Sequence, residues 1–149
     1  MFLFKASGAT YRRVIKQSKH AFPYAPRDVH EDEFVLLSKN REDCADTERQ
    51  IQYVAKVLTV RAPVTGELDA SFPGVNASSR FGSIVELYWS KPLAKPFNLS
   101  EVAHFNYRHY DTVQDFAQLH ETDAQAIVDH LGSTNDQVLL DFLNNAVRP

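Results

Sequence analysis

The chain has 149 residues, 44% of them hydrophobic and 23% charged, with a formal net charge of −3. That length and composition suit one globular domain over residues 1–149, with enough apolar side chains to bury a core without staples. The single Cys44 excludes an internal disulfide and a multi-cysteine zinc site, and the carboxylates of Glu42, Asp43 and Asp46 around it would raise its pKa rather than activate it.

Charge is unevenly placed. Lys5, Arg12, Arg13, Lys16, Lys19 and Arg27 make the first 27 residues purely basic, and all 19 acidic residues lie beyond them. This segregation points to an anionic partner at one face, nucleic acid being the commonest, or to a basic helix that folds against acidic neighbours. The opening Met1-Phe2-Leu3-Phe4-Lys5 is apolar for too few residues to be a signal h-region or a membrane span, so a cytoplasmic protein is expected.

Residues 2–6 alternate and are rich in aromatics, which predicts a first strand. Ser7 or Thr10 can cap a helix in which Tyr11, Val14 and Ile15 share one face, with Arg12, Arg13, Lys16 and Lys19 on the other. Residues 20–26 read as irregular because they contain Pro23 and Pro26. Strands are expected over 33–38 and 50–60, and a long Gly- and Pro-containing connection over 63–82.

A fourth strand is expected over 83–89. Pro92 and Pro96 then forbid both helix and central strand, and Leu99-Ser100-Glu101-Val102 reads as a turn or helix start. Residues 105–110 alternate and predict a fifth strand, and 112–120 a short helix. Thr122 to Gln125 reads as a capping box for a helix that Gly132 ends in a left-handed conformation. The pattern repeats at 133–136 ahead of Val138, Leu139, Leu140, Phe142 and Leu143, a stripe read as core.

Three segments in order resemble the EVE branch of the PUA-like group, with the sister ASCH group a close second. They are the opening strand ending Lys5-Ala6-Ser7, the acidic turn and apolar strand Asp32-Glu33-Phe34-Val35-Leu36-Leu37-Ser38 with its return over 52–57, and residues 85–102. The resemblance implies an α+β fold: a small mixed β-barrel of about five or more strands, with peripheral helices and a helical C-terminal tail. It also implies a nucleic-acid-binding module for DNA or RNA, reading a modified or flipped base and needing no cofactor. The family's tryptophan-and-asparagine pocket motif has no copy here, and residues 20–27 stand in its place.

A base pocket needs flat stacking walls and a few polar groups that read the base edge. The pocket loop of the resemblance then falls on Phe22, Tyr24 and Arg27, and its polar readers on Ser38, Lys39 and Asn40. Asn40 can offer donor and acceptor together. Tyr88 and Trp89 must face opposite sides of a strand, and Trp89 is taken as the pocket candidate. Phosphate contacts are expected from Arg12, Arg13, Lys16, Lys19 and Arg80, the last in a loop flanked by Gly82 and serines.

The six histidines show no metal-ligand spacing, and neither a P-loop nor a Gly-x-Ser-x-Gly pattern occurs. Two alternatives stay open. One is an ASCH-like hydrolase or ribonuclease using Lys39 with a carboxylate such as Glu86. The other is a protein-interaction module using the helical tail.

Overall fold

The computed structural model describes residues 1–40, 50–73, 80–103, 106–113 and 115–144. Its α+β elements run β1 (Phe2–Ala6), α1 (Gly8–Gln17), β2 (Lys19–Phe22), β3 (Phe34–Lys39), β4 (Val54–Arg61), α2 (Glu67–Ser71) and β5 (Ser83–Trp89). Then come α3 (Leu99–Val102), α4 (Tyr107–Thr112), β6 (Phe116–Gln118), α5 (Glu121–Gly132) and α6 (Gln137–Asn144). Cys44 lies outside the described residues.

The strands form one mixed sheet in the order β2-β5-β4-β3-β1-β6. β1 and β3 run parallel, with Phe2 opposite Val35 and Ala6 opposite Lys39; the other pairings are antiparallel. Both faces of the central strands are covered. Phe2 and Phe4 of β1 with Val35 and Leu37 of β3 pack under α1, whereas Leu3 and Leu36 join Ile127 and Leu131 of α5. Covering on both faces explains why β3 reads as a continuous apolar run and why every residue of β1 is buried, where alternation suggests one exposed face. Leu58 is the extra residue where the β4–β5 register slips between Val57 and Thr59, a bulge that bends the pair.

The sheet is not a closed barrel, which corrects the expected architecture. Among the described residues, four-residue β2 pairs only with β5 and three-residue β6 only with β1, so the two edges are too short to complete a ladder. Side chains meet instead, with Phe22 of β2 edge-on to Phe116 of β6 at 5.8 Å.

Four local expectations are corrected. Residues 20–26 are not irregular throughout, because β2 continues to Phe22 and stops just before Pro23, which has no N–H for the ladder. The described part of 105–110 is helical, with Tyr110 as the buried residue of α4; alternation over so few residues fits one helical turn equally well. Residues 116–118 are strand, because pairing covers the free edge of β1. α5 is capped by His120, whose Nδ1 accepts the Thr122 N–H at 3.2 Å, and Ser133 follows Gly132 in the right-handed region.

α6 starts at Asp136, whose carboxylate accepts the Leu139 N–H at 3.2 Å. It is held to the sheet by Lys56, a buried lysine whose Nζ lies 5.3 and 5.2 Å from the ring centres of Phe34 and Phe142. Among the described residues no helix is long and apolar enough to cross a membrane.

Candidate functional site

α1 begins where the Ser7 hydroxyl accepts the Thr10 N–H at 3.3 Å, and it ends at left-handed Ser18. Tyr11 and Val14 are buried against the sheet. Arg12 and Lys16, one turn apart, therefore project together beside the Tyr11 edge of the helix. The parallel register places Lys39 at the end of β3 on the same side, where its Nζ lies 5.5 Å from the centre of the Tyr11 ring.

The third wall comes from the segment before β4. Ile51 pairs with Phe97, the Gln52 carbonyl accepts the Leu93 N–H at 2.8 Å, and the Val54 N–H donates to Ser90 Oγ at 3.0 Å. These bonds fix the backbone on both sides of Gln52 and Tyr53. The extended link forced by Pro92 and Pro96 thus serves to position the two residues that face α1.

Between the three walls lies a cleft of about 340 Å3, lined by Tyr11, Arg12, Ile15, Lys16, Lys39, Gln52 and Tyr53. Three cations and two phenols surround a volume that has no acidic lining residue among the described residues. No carboxylate among the described residues pairs with Arg12, Lys16 or Lys39. Burial, with a smaller contribution from Tyr53, pushes the Tyr11 hydroxyl up to about 12, so it stays a neutral phenol in any ordinary buffer.

Tyr88 and Trp89 do face opposite ways. Tyr88 lies 5.5 Å from Phe142 on the α6 side, and Trp89 sits edge-on to Tyr53 at 5.9 Å, behind the cleft. The Trp89 Nε1–H is enclosed and meets no acceptor among the described residues. Asn40 follows Lys39 with its N–H donated to the Ala6 carbonyl at 2.9 Å, and Ser38 is buried with its hydroxyl donating to the Lys39 carbonyl at 3.2 Å.

The other anticipated residues lie elsewhere. Phe22 is core, stacked on His20 at 4.5 Å and 2% exposed. Tyr24 is 84% exposed, and Arg27 is exposed beside Asp28 at 3.8 Å; neither lines the cleft. Of the anticipated phosphate contacts, Arg12 and Lys16 meet at the cleft. Arg13 donates to the Pro73 carbonyl at 3.3 Å and Lys19 pairs with Glu67 at 3.0 Å. Arg80 stacks on Phe81 at 5.2 Å, beside a different cavity of about 400 Å3 that Phe81 lines with Pro63, Val64 and Leu68.

Glu86 is held by Arg61 at 2.9 Å and sits opposite Thr59, at the far end of β4 from the Gln52 and Tyr53 that neighbour Lys39. A Lys39–Glu86 acid–base pair is therefore not assembled. Among the described residues no three His, Cys, Asp or Glu side chains converge as a metal site. Tyr11, Gln52 and Tyr53 were not anticipated as cleft residues. The one hint in the sequence was Tyr11 next to Arg12, one helical turn before Lys16; nothing in sequence spacing joins 11 to 39 and 53.

This open, strongly curved mixed sheet under a basic helix is a fold shared with solved ASCH structures. ASCH from Zymomonas mobilis superposes with a TM-score of 0.58 at 9% identity, over 86% of this chain and 93% of that one, and one of its point variants reaches 0.63. A Pseudomonas syringae protein gives 0.57 at 10% identity over 87% and 97% of the two chains, and Rpa0253 from Rhodopseudomonas palustris gives 0.51 at 12% over 91% and 95%. At these identities the likeness establishes the fold alone. No family model matches the sequence, and no curated protein does.

Proposed function

We propose that this chain is a nucleic-acid-binding module of the ASCH/PUA-like kind, which takes one unstacked base, flipped or modified, into the cleft between α1, the end of β3 and Tyr53. The observation that carries the reading is the composition of that cleft: Arg12, Lys16 and Lys39 beside the rings of Tyr11 and Tyr53, with no carboxylate among the described lining residues. Aromatic faces and uncompensated cations in one small volume are what a base with its phosphate requires.

In this reading Tyr53 supplies the stacking face, and the Gln52 amide, which can donate and accept at once, reads the base edge. Trp89 buttresses Tyr53 from behind. Asn40 and Ser38 hold the end of β3 so that Lys39 reaches the cleft. Arg12 and Lys16 hold the backbone phosphate.

Binding of short unmodified and base-modified oligonucleotides, DNA and RNA, at two salt concentrations tests this. Salt-sensitive binding that Tyr53→Ala weakens is the expected result. Binding that Tyr53→Ala and Lys39→Gln leave untouched would move the site elsewhere.

A further inference from the structure

The cations of the cleft differ from the rest of the basic N-terminal segment. Arg13 is occupied by the Pro73 carbonyl, Lys19 by Glu67 and Arg27 by Asp28. Arg12, Lys16 and Lys39 have no described carboxylate near them and line one volume of about 340 Å3, with Lys39 placed over the Tyr11 ring. A protein that tracks a strand spreads its cations along a groove, one per phosphodiester, each carrying a single charge. Three cations around one cleft at the small end of the ligand-pocket range suit a single, more highly charged group.

A phosphate monoester is such a group. Its second ionisation lies near pH 6, so at neutral pH it carries a charge of about −1.5 to −2 and three acceptor oxygens. Lysine and arginine bind it through charge-assisted hydrogen bonds, and the arginine fork can engage two oxygens at once.

We infer that the cleft recognises a nucleotide through a terminal phosphate monoester, held by Arg12, Lys16 and Lys39, with the adjoining base against Tyr53. The source is either the phosphorylated end of a strand or a free nucleotide. The inference rests on the nucleic-acid reading above and narrows it from an internal base to an end.

The test is titration calorimetry with one short single-stranded sequence, prepared as DNA and as RNA, bearing a 5′-phosphate, a 3′-phosphate or neither, alongside a nucleoside monophosphate. One phosphorylated end is expected to bind about tenfold or more tighter than the bare strand. That preference is expected to vanish in Lys39→Gln and Lys16→Gln, persist in Arg108→Gln on the exposed face of α4, and shrink on lowering the pH from about 7.5 to about 5, as the monoester gains a proton.

Thermal melts of each variant confirm that lost preference is not lost folding. Equal binding of the three strand forms overturns the inference and leaves the nucleic-acid reading standing. Binding of the monophosphate alone, dependent on Lys39, supports the monoester site and removes the nucleic-acid reading. No binding by any probe removes both.

Discussion

The Nε2 atom of His20 lies 2.7 Å from the carbonyl oxygen of Lys5, although β5, β4 and β3 separate their strands in the sheet. The sheet therefore curls until its β2 edge faces β1, and the imidazole with the Phe22–Phe116 contact does what strand pairing would do in a closed barrel. The other ring nitrogen lies 2.9 Å from the Ala21 carbonyl. A neutral imidazole can donate to only one of these two acceptors, and an imidazolium could donate to both. Burial opposes the charged form strongly enough that the His20 pKa stays below the ordinary 6.5, despite both carbonyls.

A pH dependence follows with a definite sign. When a histidine pKa is lower in the folded state, the unfolded chain binds the proton more readily. The stabilisation is then complete above the ordinary value and is lost as pH falls from about 6.5 toward the folded value. Urea midpoints are expected to drop between about pH 7.5 and 5.5. His20→Phe, which keeps an aromatic ring between Phe4 and Phe22 but loses the hydrogen bond, is expected to start about 1–2 kcal/mol lower. Its slope across that window should flatten, and an unchanged slope would mean that another group governs it.

A second cluster ties α2 to the sheet. Glu67 is 8% exposed and receives two bonds from Arg61, at 2.7 and 2.6 Å, and one from Lys19 at 3.0 Å. The Arg61 guanidinium holds the Glu67 carboxyl well below the usual carboxylate range. Its contribution is thus present above about pH 4.5 and is lost as acid protonates it. Glu67→Gln is expected to destabilise by about 1–3 kcal/mol at neutral pH, because Arg61 and Lys19 lose their carboxylate. Chemical denaturation at pH 7 measures this directly, and the difference from wild type should narrow in acid.

Stacking in the cleft can be separated from stacking on the exposed turn. Tyr53→Ala is expected to weaken oligonucleotide binding by about 1–3 kcal/mol, as the loss of one base–aromatic contact does. Tyr24→Ala, which removes an 84% exposed ring outside the cleft, is expected to change affinity by less than about 0.5 kcal/mol. Fluorescence anisotropy on both variants decides between the two aromatics. A larger effect at Tyr24 would relocate the base to the β2–β3 turn.

Salt dependence distinguishes the basic residues from one another. Removing a phosphate contact lowers the slope of log affinity against log salt by about 0.7 for a single strand. Arg12→Gln and Lys16→Gln are each expected to reduce the slope by that amount, and Arg80→Gln, stacked on Phe81 beside the other cavity, to leave it unchanged. Titrations at three salt concentrations suffice to read the difference.

Local chemistry was legible wherever a residue's role is set by its immediate neighbours. The strand over 2–6, the amphipathic helix capped at Ser7, the strand over 83–89, and the helix turn after Pro96 all follow from period, cap and breaker residues. The basic character of the α1 face was equally plain. The β6 strand could not be read in this way, because Phe116-Ala117-Gln118 is strand only by pairing with β1. The α4 turn is helical because Tyr110 packs inward and its hydroxyl donates to Asp123 at 2.7 Å.

The cleft belongs to the same category. Lys39 and Tyr11 approach because β1 and β3 are parallel with α1 crossing between them, and Tyr53 arrives because Phe97 and Leu93 hold the chain beside it. Periodicity and capping report interactions within a few residues of chain. Parallel pairing, sheet curl and the meeting of residues 11, 39 and 53 depend on contacts between distant segments, which arise only when the two faces of the sheet are buried together.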